Sequence, residues 1–380
     1  LGQIKEITVF SIGDSLELST WSNVPYFLTK SLEDKNIRIN RVNLEENKTL
    51  RLIYKYSVFA FLKLFYKNSD HTYFRSGINT YLTNIKIKNA VKKYNNANAL
   101  LFLTYSFSAK KYSTLNTVLF SDWSYLYKID AFFKRKPFWF EKKALKREEE
   151  NINTADALIS LFPRSKDFNG LNYKNKHQNY LGNVINCNYL LNKTEVISKK
   201  INSNKLLFIG TKKYKKGALE LITAFKLLTE KNPNKIELHI IGLDEQEINI
   251  SMPNLYYYGY LNKGIKNENE LYYKLLAEAK AIINTNVNWG AFSAMTEAMY
   301  FYTPVITTPY SEFTETYGAE INFGYYVNEN SNQKLVSTIE TLLGNTDEQQ
   351  LILMNNAHEK VKDFSWDNYS NKLLDLISKL

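Results

Sequence analysis

The chain has 380 residues, 44% hydrophobic and 23% charged, enough to bury proper cores and long enough that two domains are expected. A single cysteine, Cys187, and four scattered histidines, His71, His177, His239 and His358, exclude a disulfide framework and a thiolate metal cluster and show no metal-ligand spacing. The net charge of +11 is uneven, since residues 1–200 hold 32 Lys and Arg against 17 Asp and Glu whereas residues 201–380 hold 17 against 21, so only the first half suits an anionic partner.

The opening LGQIKEITVFSIGD reads as a strand entering a loop, not as a signal peptide, and no apolar run reaches the roughly 20 residues of a membrane span. The expected compartment is the reducing cytosol. Residues 7–12 form a first strand, followed by Gly13-Asp14 and a polar loop to Trp21-Ser22-Asn23. Residues 24–32 have helical periodicity, and 37–42 read as the second strand. This strand–loop–helix–strand start belongs to doubly wound α/β sheets, although it lacks the GxGxxG of an ordinary dinucleotide site. Residues 51–66 are aromatic and basic, 86–96 form another basic helix, and 99–104 and 116–120 are buried strands. Asp122 follows the latter strand, where ligands gather in such sheets, and it could equally cap a helix from Ser124 onward.

Residues 128–150 set Phe132, Phe133, Phe138, Trp139 and Phe140 among basic residues. Such aromatic wedges suit a membrane interface or a nucleic acid; alternatively the rings pack inward while Lys and Arg snorkel. Residues 183–204 have little periodicity and are expected to link the domains. A second α/β unit then begins. A strand over 205–209 ends in Gly210, TKKYKKG leads to a helix over 218–229, and strands 236–241 and 255–258 end in Gly242 and Gly259. A helix over 269–278 precedes the most informative stretch, 281–309, which reads as strand, glycine loop, helix and strand. Ser293 is expected to cap that helix. Its N–H groups and dipole would seat a phosphate, and Glu297, one turn in, could accept from a vicinal diol such as ribose or merely complement the dipole. The last segment, DFSWDNYSNKLLDLISKL, is an amphipathic helix.

The elements and residues of 205–370 resemble the retaining glycosyltransferases of family 4, which have the GT-B fold. The resemblance lies in FIG with Lys216-Gly217, in HIIG at 239–242, in YYYGYL at 256–261, in WGAFSAMTEAM followed by TPVITT, and in the closing FSWDNYSNKL. It implies two Rossmann-like parallel-sheet domains facing a cleft. An acceptor domain would span 1–185, joined by the helix 366–380 crossing back, and a nucleotide-sugar domain 186–365. It also implies sugar transfer from a nucleoside diphosphate sugar with retention and without an essential metal or other cofactor. The catalytic candidates are Lys216, at the family's diphosphate lysine, with Glu297, at its ribose glutamate, and Asp122. Donor contacts would come from Gly210, Thr211, Lys212, Lys216, Gly242, Trp289, Gly290, Ala291, Phe292, Ser293 and Glu297, and the acceptor side from Gly13, Ser22, Asn23 and Asp122.

Two departures bear on the donor. Trp289 stands where the family has a glutamate, which fits stacking on a less polar sugar, and Thr211 replaces an arginine, with Lys212 an imperfect substitute. The leading expectation is a cytoplasmic, peripheral enzyme of surface polysaccharide assembly that acts on a lipid-linked or glycan acceptor at an anionic membrane. Two others stay open: a GT-B relative without catalysis, serving as a scaffold or binding subunit, and a nucleic-acid-binding or nucleic-acid-modifying protein. The acidic second half argues against wrapping nucleic acid.

Overall fold

A computed structural model describes residues 4–187, 189, 191–231, 236–286, 292–328 and 331–380. The chain divides into two compact units, Leu1–Asn183 with Trp366–Leu380, and Val184–Ser365. Among the described residues each unit carries one six-stranded sheet, parallel throughout.

In the first unit the strands are β1 (Glu6–Ser11), β2 (Arg38–Asn43), β3 (Ala99–Phe102), β4 (Asn116–Ser121), β5 (Ala157–Ser160) and β6 (Gln178–Asn179), in the order β2-β1-β3-β4-β5-β6. The central strands read as continuous apolar runs because helices cover both faces, and Phe10 of β1 stacks on Phe102 of β3 at 4.1 Å. The sheet order reverses between β1 and β3, and in open parallel sheets such a reversal is where ligands gather. The closing helix Trp366–Ser378 belongs to this unit. Its Trp366 carbonyl accepts from Ser31 Oγ at 3.0 Å, and Ser370 donates to Ser31 at 2.8 Å, on the helix Val24–Glu33.

In the second unit the strands are β7 (Lys205–Ile209), β8 (Glu237–Ile241), β9 (Leu255–Tyr257), β10 (Ala281–Asn284), β11 (Val305–Thr307) and β12 (Gly324–Tyr326), in the order β12-β11-β10-β7-β8-β9. The reversal falls between β7 and β10. The helix that begins at Lys215 with Lys216 and the Glu297 helix therefore follow neighbouring strands at the same sheet end.

The expected linker over 183–204 is not all irregular, because Lys193–Ile201 is a helix. Asn192 caps it by accepting from the Glu195 N–H, and Lys200 on its inner side is fully buried. Lys200 Nζ donates to the carbonyls of Leu276 and Ala279 and to Thr303 Oγ1 at 2.8 Å, and burial lowers its pKa well below the ordinary lysine value. A polar-looking sequence hid a helix because one of its two buried side chains, Val196 and Lys200, is itself a lysine.

Candidate functional site

The end of β7 and the end of β10 are drawn together by small residues. A Cβ on Gly217 would lie 3.2 Å from Asn284 Oδ1 and 3.3 Å from the Asn286 N, so the helix Lys215–Lys231 begins hard against the β10 loop. Asn286 Nδ2 donates to the Lys213 carbonyl at 3.2 Å, and Thr285 Oγ1 donates to Glu220 at 2.9 Å. Lys216 stands at this junction, two-thirds exposed, with Glu220 at 3.8 Å. Gly210 and Gly242 complete the floor. Gly242 has φ +94°, and a Cβ there would meet the Gly210 carbonyl oxygen at 2.7 Å, so no other residue fits.

Thr211 is exposed, and Lys212 Nζ pairs with Glu247 at 2.7 Å, so the lysine expected to stand in for the family's arginine already has a carboxylate partner. The helix Ser293–Tyr300 starts after Phe292, which occupies the cap position without a side-chain cap bond. Ser293 is the first helical residue and exposed, not the cap expected from the sequence, because Phe292 is anchored instead. Its ring packs against Phe313 at 5.5 Å and Tyr317 at 5.3 Å. Trp289, Gly290 and Ala291 lie outside the described residues.

Glu297 is buried, and both carboxylate oxygens are engaged. Lys263 Nζ donates to Oε1 at 2.5 Å and Tyr272 OH to Oε2 at 2.8 Å, while Lys263 also reaches the Asn186 carbonyl at 3.2 Å. This arrangement goes beyond complementing a helix dipole. Neither partner was legible from the sequence, since Lys263 is 34 positions away in a turn with no motif of its own. The same charge reaches Cys187, whose thiol is pushed up to about 11, chiefly by burial and then by Glu297. Among the described residues no three His, Cys, Asp or Glu side chains gather as a metal set.

In the first unit, Gly13 has φ +104°, and its N–H takes the Asn43 side chain at 3.1 Å. Trp21, Ser22 and Asn23 all have positive φ, 36°, 55° and 70°, a run that non-glycine residues adopt only at a cost of about 1–3 kcal/mol each. Asn23 Nδ2 donates to the Leu18 carbonyl, and Trp21 packs edge-on to Phe120 at 5.6 Å, which brings this loop to the end of β4 beside Asp122. Asp122 is not a helix cap, because Ser124 caps Tyr125–Tyr127 with its own hydroxyl. The Asp122 carboxylate accepts from the Trp123 N–H at 2.9 Å and Ser121 Oγ at 3.2 Å, and burial pushes its pKa up.

The aromatics over 132–140 mostly turn inward. Phe132 packs on Trp123 at 4.8 Å, Phe138 and Phe140 pack on Tyr66 at 4.7 and 5.1 Å, and only Trp139 of the five is exposed, at 71%. Arg135 is tied to the fully buried Glu141 by two bonds of 2.7 Å. Burial opposes ionisation of Glu141, but Arg135 and the Phe138 N–H overcome it and hold the pKa below the ordinary value. The snorkelling alternative describes this segment better than a row of wedges does.

No curated protein sequence matches the chain. Among solved structures, sucrose-phosphate synthase from Thermosynechococcus elongatus superposes with a TM-score of 0.69 at 14% identity, covering 99% of this chain and 98% of that one. WaaG, a glycosyltransferase involved in lipopolysaccharide biosynthesis, gives 0.66 at 14% identity over 98% of this chain and 99% of its own. HepE from Anabaena, solved in complex with UDP and glucose, gives 0.62 at 13% identity over the full length of both. The family model of glycosyl transferases group 1 matches residues 192–360, within the unit that holds Lys216 and Glu297. Over that segment the second unit is similar to the group 1 glycosyl transferases, and the chain has the GT-B fold.

Proposed function

We propose that the protein transfers a sugar from a nucleoside diphosphate sugar to a lipid-linked or glycan acceptor, with retention and without an essential metal. The observation that carries this is the β7–β10 switch point, which sets Lys216, Gly210 and the Ser293–Tyr300 helix at one sheet end within the matched segment. A leaving diphosphate needs fixed positive charge and N–H donors where its charge develops, and a lysine with a helix N-terminus supplies both. Glu297, oriented by Lys263 and Tyr272, accepts the ribose hydroxyls through its remaining lone pairs. Asp122 and the strained Ser22–Asn23 turn receive the acceptor, the burial-raised carboxyl of Asp122 being suited to exchange a proton with its hydroxyl. Trp289 sets the sugar, so Trp289→Glu shifts preference toward a fully hydroxylated hexose.

The test is calorimetric titration with a panel of nucleoside diphosphates, followed by donor hydrolysis with the preferred one. Glu297→Gln should weaken nucleoside diphosphate binding by about 1–3 kcal/mol, and equal affinity would remove Glu297 from the site. A second reading, a non-catalytic binding subunit, draws on Lys212 being held by Glu247 and Glu297 by Lys263. It predicts nucleotide binding with neither hydrolysis nor transfer.

A further inference from the structure

Residues 47–69 carry five basic side chains, Lys48, Arg51, Lys55, Lys63 and Lys67, and no acidic one. Most of this stretch is one helical rod over residues 48–65, α-helical at both ends with a π-helical segment, Lys55–Phe59, inside. At a rise of 1.5 Å per residue it is about 27 Å long. Its grip on the rest of the first unit is narrow. Leu62 is its buried side chain, and Leu50, Tyr54 and Phe59 are half-buried. Leu52, Ile53, Tyr56, Val58, Phe61, Leu64 and Phe65 are all exposed, Tyr56 by 74% and Leu64 by 73%. A helix apolar on both sides belongs in an apolar surround on both, and an uncovered patch of this size marks a docking surface.

A neighbouring helix repeats the pattern. On Gly77–Lys93, Ile78, Tyr81 and Ile85 are exposed at helical spacing, and Lys86 Nζ donates to the Glu45 carbonyl at 2.8 Å, tying this helix to the segment that leads into the rod. Residues 71–121 hold seven Lys and Arg and no acidic residue.

We propose that the rod over 48–65 docks the chain on an anionic lipid bilayer, lying in the plane of the interface. Phe61, Leu64, Phe65 and their exposed neighbours enter the acyl boundary, and the basic side chains stay at headgroup level. Among the described residues no helix is long and apolar enough to cross a membrane, and four cations within the rod itself keep it from doing so. A second copy of the chain is a poor occupant, because the patches would bring five cations each against one another with no acidic residue to offset them. A nucleic acid would answer the charge but gain little from Leu52, Ile53, Val58 and Leu64, which offer no stacking face. The inference bears on the proposed function only by locating the acceptor at a bilayer. Its test uses no sugar donor, so its failure leaves the donor reading standing.

The experiment is flotation of the whole chain with vesicles of phosphatidylcholine, alone or mixed with phosphatidylglycerol. The chain should float with the anionic vesicles and be released by high salt. Replacing Phe61, Leu64 and Phe65 by Ser should lower partitioning about tenfold for each side chain. Lys55→Gln and Lys63→Gln, which remove charge and leave the apolar side chains of the rod in place, should lower it about fivefold each. Equal flotation with neutral vesicles, or no loss in either set of variants, overturns the proposal. So does self-association of the parent that the Ser variants abolish without any vesicle binding, or salt-sensitive binding to single-stranded DNA but not to vesicles.

Discussion

Glu297 in the second unit and Glu148 in the first are both buried carboxylates on helices, and they are held in different ways. Glu297 takes an ammonium and a phenol, Lys263 at 2.5 Å and Tyr272 at 2.8 Å. Glu148 takes neutral donors, Ser106 Oγ at 2.9 Å and the Tyr125 N–H, while Arg75 lies over the Tyr125 ring with its guanidinium 3.4 Å from the centroid. Burial raises the pKa of Glu148, and the Arg75 charge opposes it. The first carboxylate has a cation as a partner of its own. The second is a structural acceptor whose charge is a burden. Burial alone does not decide how a carboxylate is held; its partner does.

The widest break in this comparison comes from removing Lys263. Lys263→Met leaves Glu297 buried without its cation, which costs about 3–5 kcal/mol of stability. Urea denaturation should show the loss, and a change below about 1 kcal/mol would mean that the pair is solvated in solution. Next is the glycine floor of the second unit. Gly242→Ala sets a Cβ 2.7 Å from the Gly210 carbonyl in a backbone of φ +94°, and about 2–3 kcal/mol should be lost, read as a lower Tm. The first unit accepts comparable strain without glycine at Trp21, Ser22 and Asn23. Strain that survives in side-chain-bearing residues points to a loop kept for its side chains.

Glu148→Gln probes the other half of the comparison. A carboxyl whose folded pKa is raised gives its full stability below the unfolded value, about 4.3, and loses it as pH rises through the folded value. The glutamine variant keeps an acceptor and sheds the charge. It should therefore match the parent near about pH 4 and exceed it increasingly as pH rises toward about 7. An advantage independent of pH would assign the effect to packing.

Much of the second unit was legible because its strands end in glycines and its helices alternate with them. Gly210, Gly242, Lys216-Gly217 and the strand, helix and strand of Ala281–Asn284, Ser293–Tyr300 and Val305–Thr307 are all readable in the sequence. What stayed hidden was long-range polar pairing, such as Lys263 with Glu297, Lys212 with Glu247 and Lys200 with two carbonyls, because a charged residue looks solvated until its partner is known. Residues 128–150 misled for the same reason, as their cations are partly consumed by Glu141 and Asp70. The rod over 48–65 reads in sequence only as aromatic and basic, since sequence alone cannot say which of its apolar side chains are left uncovered.

The smallest expected effect concerns acid. Burial lowers the pKa of His71 in the first unit and of His239 and His358 in the second. A lowered histidine contributes fully above its unfolded value of about 6.5 and loses that contribution as pH falls through the folded value, so each favours unfolding at acid pH. His358 stacks on Tyr302 at 4.1 Å and donates from Nδ1 to the Tyr300 carbonyl at 2.7 Å, which joins the helix Asp347–Val361 to the end of the Glu297 helix. That bond favours the charged form without reversing the shift. With two of the three groups, the second unit should carry most of the acid loss. His358→Asn, which keeps a donor near the Nδ1 position, should flatten the fall in unfolding free energy between about pH 7 and about pH 5. The reduction is at most one proton's worth, about 1.4 kcal/mol per pH unit. Denaturation of parent and variant at both pH values measures it, and an unchanged slope would place the acid sensitivity in His71 of the first unit or in His239.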